Sequence, residues 1–328
     1  MNTIDSNLRR NRIKWVMSNH GILLGFIAIV ILLSIFARGF FTISNFVTIL
    51  KQVSSIGIAT IGVGILIIMN CNDLSIGSMF ALCGVTAGLV VSTSSVGMGL
   101  PTPLGILAGI LTGVLFGLFN GVIVAKGRIP AFIVTLGTQA IARGLALILA
   151  HGMPVGSFPA SFNFLGTASL DARGLIPWSV LIFLAVILGM DLVMKKLPIG
   201  RYTYAIGGNE EAARVAGINV DRVKIQVYLI EGALLGLAST LMASRLKSAA
   251  PALGSGYEGD AIAGAIIGGV SFTGGIGTVW GMVLGATMIG VINNGMDLIG
   301  VEAFYKQVVK GSIIILAVLI DRKRSGRS

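Results

Sequence analysis

A chain of 328 residues with 55% hydrophobic residues, 11% charged residues and a mean hydropathy of +0.92 cannot cover itself with a water-solvated surface. This composition excludes a soluble enzyme, a nucleic-acid-binding domain and a disordered chain. We therefore predict an all-α, polytopic transmembrane helical bundle. The excess of 24 Lys and Arg over 13 Asp and Glu is interpreted first as a topology signal.

Ten apolar segments have, or nearly have, the length needed to cross a hydrocarbon core of about 30 Å. They are residues 21–37, 52–69, 74–93, 104–125, 130–150, 175–194, 225–244, 258–273, 276–295 and 303–320. We expect one transmembrane domain over residues 21–320, between a basic N-terminus (1–20) and a basic tail (321–328). The first segment lacks a small-residue cleavage site and is interpreted as an uncleaved span.

Lysine and arginine residues are unevenly shared between the two sides of these segments. If the N-terminus is cytoplasmic and the spans alternate, sixteen Lys and Arg lie on the cytoplasmic side and six on the opposite side. Because cytoplasmic loops are rich in Lys and Arg, both termini are predicted to be cytoplasmic. An even number of spans follows.

Two regions are predicted to contain irregular backbone. Asp73 is the only charged residue between positions 52 and 93, so this region forms either two spans with a tight turn or a broken helix. Ten glycines lie between positions 259 and 290, a density that predicts interrupted or re-entrant helices. Irregular backbone at membrane depth is tolerated where it faces protein or water, so we expect a central pathway there.

The fourth apolar segment has glycine at every fourth position, which leaves one helix face without side chains. Small residues at this spacing let helix backbones approach closely in lipid. The face packs either inside the bundle or against another subunit. Its residues are Gly105, Gly109, Gly113, Gly117 and Gly121.

Charged residues at membrane depth cost about 2.5 to 3.5 kcal/mol each on insertion scales, so each needs a reason. These residues either line a polar pathway or proton relay, or pair with one another and fix the bundle. Similar patterns begin at Arg143-Gly144 and Lys310-Gly311, five spans apart, and hint at an inverted repeat. The candidate intramembrane polar residues are Asp73, Ser75, Arg143, Glu231, Asp260, Asn294 and Lys310.

Residues 195–224 form the longest hydrophilic segment and are predicted to be cytoplasmic. Asn209 can cap a short helix whose first turn carries Glu210 and Glu211, and Gly217 can end it. This helix is either part of a solvated connection or a protrusion that seats in a groove of another protein. The sequence has no nucleotide-binding P-loop, catalytic motif or metal-ligand cluster, so we expect neither a catalytic residue nor a metal site.

Short motifs occur along the chain in a characteristic order. They are Phe40-Phe41-Thr42 with Asn45, Asp73-Leu74-Ser75-Ile76-Gly77-Ser78, Ala125-Lys126-Gly127-Arg128, Gly200-Arg201-Tyr202, Ala205-Ile206-Gly207-Gly208-Asn209, Tyr257-Glu258 with Asp260, Gly268-Gly269-Val270-Ser271-Phe272, Asn293-Asn294-Gly295 and Lys310-Gly311. Over residues 38–321 this series resembles the permease subunits of the ribose/galactose/xylose branch of ABC-type sugar importers.

That resemblance implies a permease subunit that moves a monosaccharide across the bacterial cytoplasmic (inner) membrane by alternating access. It implies three partners: a cytoplasmic ABC ATPase that holds ATP and Mg, a periplasmic sugar-binding protein, and a second permease copy or a related permease. No cofactor and no nucleic acid is expected on this chain. The segment similar to the ATPase-docking motif of such permeases comprises Asn209, Glu210, Glu211, Ala212, Ala213 and Gly217.

A secondary transporter of a small polar solute, coupled to protons or sodium, is the alternative function. It is motivated by the intramembrane carboxylates Asp73 and Glu231 and by the hint of an inverted repeat.

Overall fold

The computed structural model describes residues 26–27, 30–171 and 173–325 as an all-helical protein, which confirms the predicted class. Residues 26–27 and 30–36 are helical. The helices that follow are α1 (Ile43–Ile68), α2 (Ile76–Val91), α3 (Thr102–Gly127), α4 (Ala131–Leu149), α5 (Ala160–Thr167), α6 (Trp178–Lys196), α7 (Pro198–Gly208), α8 (Glu210–Val215), α9 (Val220–Leu246), α10 (Tyr257–Ile267), α11 (Val279–Ile299) and α12 (Ala303–Ser325). The predicted basic N-terminus and the last three residues of the predicted tail lie outside the described residues.

Six of the described helices are long and apolar enough to cross a membrane: α1, α3, α4, α6, α9 and α11. The candidate span at residues 258–273 does not form one continuous helix, because α10 has only 11 residues, and ten full spans are not confirmed. At 1.5 Å per residue α10 rises about 16 Å, roughly half of the hydrocarbon core. The segment predicted at 74–93 also gives a short helix, since α2 has 16 residues.

α1 forms the centre of the bundle and starts earlier than hydropathy predicts. It begins at Ile43 rather than at residue 52, because the Thr42 side chain caps it by accepting a hydrogen bond from the Asn45 amide. Lys51, which interrupts the apolar run, donates to the carbonyl oxygen of Thr167 at 3.0 Å. Every residue from position 53 to 68 is buried, and α6, α9, α10 and α11 pack around this half of α1.

The glycine face of α3 packs against α9 of the same chain. A β-carbon added to Gly113 would overlap the carbonyl oxygen of Gly232, and one added to Gly236 would lie 2.5 Å from the carbonyl oxygen of Gly109. The remaining glycines of the face lie against Val91 (Gly105) and Tyr228 (Gly117 and Gly121). The opposite face of α3 is exposed and carries Leu104, Leu107, Leu111 and Leu115. The helix therefore turns its smallest residues inward and its large apolar residues toward lipid.

Two stretches of the bundle contain irregular backbone. Residues 69–75 join α1 to α2, so this region is two helices and a connection. Non-helical turns also occupy residues 250–256 before α10 and residues 268–278 after it, which confirms the predicted interruption in the glycine-rich region. Arg143 of α4 supports the first of these turns, because its guanidinium donates to the carbonyl oxygens of Pro251 and Leu253.

The contact between α3 and α9 leads to a stability prediction. Gly113→Ala should lower the free energy of unfolding by about 1–3 kcal/mol, the usual cost of overpacking, because the new methyl group meets backbone that cannot rotate away. Thermal unfolding of the purified protein in detergent measures the effect. Gly137→Ala in α4 is the matched control, because an added β-carbon there has no heavy atom within 4 Å. Equal destabilisation by the two substitutions would contradict the close packing of α3 on α9.

Candidate functional site

The connections between the helices gather at two ends of the bundle. Residues 70–71, the junction of α3 and α4 at 128–131, and Glu210 of α8 line one cavity of about 320 Å³. We call this the α8 end. At the opposite end the Ser92 hydroxyl donates to the Gly156 carbonyl oxygen at 2.6 Å, and Val155 pairs with Ala249. The connections after α1 and α3 thus lie at the α8 end, and those after α2, α4 and α9 lie at the opposite end.

α8 is the short helix that the sequence predicted between Asn209 and Gly217. The Asn209 side chain accepts a hydrogen bond from the Ala212 amide at 2.9 Å and caps the first turn. Gly217 follows the last turn with φ +86°, in the left-handed region that favours glycine. Local capping therefore defines both ends of the helix.

An ion-pair network holds α8 on the start of α9. Glu210 contacts Lys224 at 2.8 Å and Arg214 at 3.3 Å, and Arg214 also contacts Asp221 at 3.4 Å. Partial burial alone would raise the pKa of Glu210, but the hydrogen bond and charge of Lys224, together with those of Arg214, outweigh it and hold this pKa below its ordinary value. Glu210 is therefore a charged anchor between α8 and α9.

The outer face of α8 is free of such contacts. Ala213 is buried against the bundle, whereas Glu211 and Ala212 are exposed and Val215 is 90% exposed. Glu211 forms no ion pair with any described residue. Beside the helix, a groove of about 640 Å³ runs between α7 and the start of α9, lined in part by Tyr202. A capped helix with an exposed apolar tip next to a groove is suited to docking on another protein.

Asp73 forms a buried polar cluster where the chain enters α2. Its Oδ1 atom accepts hydrogen bonds from the Ser75 amide at 2.5 Å and the Ser75 hydroxyl at 2.6 Å, and its Oδ2 atom accepts from Asn120 at 3.4 Å. All three side chains are fully buried. The carboxylate lies at the N-terminus of α2, where the helix dipole favours negative charge.

Glu231, in the middle of α9, is fully buried beside Gly62 of α1. Neither of its carboxylate oxygens has a hydrogen-bond partner among the described residues. Arg143 contacts backbone carbonyls, and Lys310 contacts Asp260 at 2.7 Å. Arg143, Glu231 and Lys310 therefore do not pair with one another.

Two further polar pairs tie α11 to its neighbours. The Asp260 carboxylate accepts from Lys310 at 2.7 Å and from Asn293 at 3.0 Å. Asn294 and Asn45 exchange two side-chain hydrogen bonds at 3.0 and 2.9 Å. The structure thus brings Asp260 and Lys310 together, places Asp73 with Ser75, and leaves Glu231 and Arg143 in separate surroundings.

Sequence reasoning missed Asn120 and gave no role to Asn45 and Asn293. Asn120 follows Gly113 by seven residues, two helical turns, so it lies on the glycine face and points inward. That spacing is a signal that could have identified it. The partners of Asn45 and Asn293 lie 249 and 33 positions away in sequence, and no local pattern identifies such pairs.

Comparison with known proteins adds independent findings. The model of a family described as branched-chain amino acid transport system / permease component matches residues 45–318. The ribose import permease protein of Bacillus subtilis (strain 168) is 39% identical over 326 residues, 98% of each chain. The L-arabinose transport system permease protein of Escherichia coli (strain K12) is 37% identical over 94% of this chain and 91% of its own. The L-arabinose ABC transporter permease protein of Azospirillum brasilense is 35% identical over 94% of this chain and 89% of its own. No solved structure matches the chain.

These matches confirm the resemblance found in the sequence. A permease component of an ABC importer is not itself an enzyme, and it works with a separate ATPase and a substrate-binding protein. Six membrane-length helices are consistent with a multi-pass protein of the inner membrane. With one family model spanning residues 45–318 and full-length relatives above 30% identity, the chain belongs to the permease family of ABC-type monosaccharide importers.

Proposed function

We propose that a monosaccharide enters the cell through this subunit by alternating access, driven by an ATPase that docks on α8. The observation that carries the proposal is α8 itself, a capped helix whose apolar tip, Val215, is 90% exposed. ATP and Mg would be bound by the ATPase rather than by this chain. The relatives are named for ribose and L-arabinose, so these are the first sugars to test.

The proposed topology places the α8 end and both termini in the cytoplasm. Eight Lys and Arg lie at the described α8 end: Lys126, Arg128, Lys195, Lys196, Arg201, Arg214, Arg222 and Lys224.

We also propose that the chain crosses the membrane ten times. Ala249 contacts Val155 at the opposite end, and the Gly275 amide donates to the Ile68 carbonyl oxygen at the end of α1 that adjoins residues 69–75. Turn residues 250–256 and the half-length α10 would together make the eighth crossing.

α7 links α8 to the central helix through a close backbone contact. α7 ends at Gly208, one residue before the cap of α8, and a β-carbon on Gly207 would overlap the carbonyl oxygen of Ile68 at the end of α1. A push on α8 would therefore reach α1 through α7 without an intervening flexible side chain. A second permease copy, or a related permease, would complete the pathway.

Proteoliposome uptake separates the importer from an ion-coupled carrier. The chain reconstituted with its ATPase and binding protein should take up ribose or L-arabinose only when ATP is present on the side of the membrane where the ATPase is bound. Collapsing the proton or sodium gradient should leave this uptake unchanged. Uptake by the chain alone, abolished by collapse of an ion gradient, would establish the secondary transporter instead.

Substitutions on the exposed face of α8 should uncouple ATP hydrolysis from transport. Glu211→Lys and Val215→Asp place wrong charges on the proposed contact, and each should lower ATP-driven uptake at least about tenfold, as expected for loss of an interface anchor. The amount of folded protein in the membrane should stay native, because neither side chain packs on the bundle. Uptake assays normalised to protein level measure this. Native uptake by both variants would refute docking on α8.

The ion pairs of Glu210 predict acid sensitivity of α8. Because the folded-state pKa of Glu210 is lowered, its stabilisation is present above the ordinary Glu pKa of about 4.3 and is lost as pH falls through the lowered value. At neutral pH, Glu210→Gln should reduce amide-exchange protection of α8 about two- to fivefold, the range of a solvent-screened pair.

Glu211→Gln is the matched control, since it alters the neighbouring carboxylate that forms no ion pair with a described residue. Protection of α8 should stay native in this variant at neutral pH and should fall in acid. Equal protection in Glu210→Gln and the native protein at neutral pH would rule out the anchoring role.

A further inference from the structure

A polar cavity of about 190 Å³ lies among α1, α9, α10, α11 and α12, in the half of the bundle nearer the opposite end. Side chains with hydrogen-bonding groups line most of it, although α1, α9 and α11 are long and apolar enough to cross a membrane. Polar groups at such depth are costly and mark solute pathways. The six that carry the argument are Gln52, Arg245, Tyr257, Asp260, Asn293 and Lys310.

The carboxylate of Asp260 lies at the base of this cavity. It is 2% exposed and accepts from both Lys310 and Asn293 through the same oxygen, Oδ2. An ion pair with an added amide donor is a rigid arrangement, because each group is oriented by the others. Asp260 therefore presents fixed polar atoms to the cavity.

Two buried atoms on the cavity wall lack partners among the described residues. They are the acceptor Oε1 of Gln52 and the donor Nε of Arg245. Buried polar atoms normally have a hydrogen-bond partner, so these two atoms are available to a ligand that enters the cavity. A hydroxyl donates one hydrogen bond and accepts others, so one class of ligand serves both atoms.

Most of the charged side chains of the cavity are paired with one another. Two carboxylates, those of Asp260 and Asp297, face three basic groups, those of Arg245, Lys306 and Lys310. Both carboxylates are ion-paired with lysines. The cavity therefore keeps one net positive charge, and the guanidinium of Arg245 can donate hydrogen bonds to the hydroxyl groups of a neutral ligand. No group of metal-binding side chains occurs among the described residues.

The cavity also has a route to the opposite end. A neighbouring cavity of about 440 Å³ shares Gln52 and Asp297 with it and continues to Gly39 and Thr42, which precede α1. Asp297 is 50% exposed, whereas Asp260 is 2% exposed. A solute that enters from this end meets polar groups of increasing burial.

We propose that this cavity binds the monosaccharide during its passage, with Gln52 and Arg245 hydrogen-bonded to sugar hydroxyls and Asp260, Asn293 and Lys310 holding the base of the site. The proposal rests on the proposed function, because it assigns the transported sugar to a place in the chain. Binding on a conduction route must be weak enough for release. The expected affinity is therefore low, and the test reads occupancy directly.

Cysteine protection measures that occupancy. The experiment uses a background in which both native cysteines carry the substitutions Cys71→Ala and Cys83→Ala, so the introduced thiol gives the labelling signal. Ile56→Cys places a thiol on the cavity wall without removing a proposed ligand, and Met98→Cys is the matched control in the exposed connection between α2 and α3. In the assembled complex, D-ribose or L-arabinose at ten times its dissociation constant should slow labelling at position 56 about tenfold, since only the free fraction reacts.

Labelling at position 98 should not change with either sugar. The site is refuted if neither sugar slows labelling at position 56 at concentrations that saturate uptake, or if both positions slow equally. Protection needs no transport, so it distinguishes failure of the site from failure of the proposed function. Ion-driven uptake by the chain alone would overturn the function, whereas ATP-driven import without protection would overturn only the site.

A second measurement tests Gln52, whose Oε1 atom is the unpaired acceptor on the cavity wall. Gln52→Ala should lower uptake at subsaturating sugar about three- to tenfold, the effect of losing one hydrogen bond to a ligand. ATP hydrolysis by the complex should stay native, because α8 is unaffected. Gln139→Ala in α4, away from the cavity, is the control and should transport normally. Native uptake by Gln52→Ala would remove Gln52 from the site and contradict the proposal.

Discussion

The backbone contact between α3 and α9 is the constraint on which the rest of the structure depends. Lipid provides no hydrophobic drive between helices, so these two approach until main-chain atoms touch, at Gly113 against Gly232. This close approach carries Asn120 inward, where it reaches Asp73 at the start of α2. The same contact encloses Glu231 beside α1. Bulky residues on either face would separate the helices and expose these polar groups to lipid.

A second constraint follows from the lack of water inside a bilayer. Backbone that leaves the helix at that depth must find protein partners. The turn before α10 meets this requirement through Arg143, whose guanidinium donates to two carbonyl oxygens of the turn. α10 can then be short, and its first turn brings Asp260 to a cavity instead of to lipid. The irregular segment thus positions the most buried carboxylate of that cavity.

Features encoded by nearby residues could be predicted from the sequence. The all-α class follows from composition, and the limits of α8 follow from the Asn209 cap and Gly217. The glycine spacing predicted a close-packed face but not its partner. The sequence failed at α1, because Thr42 starts the helix well before the apolar run. The glycine density predicted the interruption near residues 258–273, but hydropathy did not give the limits of α10.

Most polar partners depend on the assembled fold. Lys310 and Asp260 are 50 positions apart, and Asn45 and Asn294 are 249 apart, so their pairing exists only after distant helices pack. The unpaired atoms of Gln52 and Arg245 are equally invisible in the sequence, because their lack of partners is a property of the surrounding side chains. The charge of Asp260 and Lys310 marked these two positions as costly in a membrane, but only the packing of the helices shows that they pair.

The exposed tip of α8 has a consequence for biosynthesis. Val215 is almost fully exposed and forms an apolar surface on an otherwise charged helix. Copies of the chain produced in excess of the ATPase would leave this apolar surface uncovered and accessible to chaperones and proteases. Matched synthesis of the subunits, with swift assembly, would keep the tip hidden for most of the lifetime of the protein.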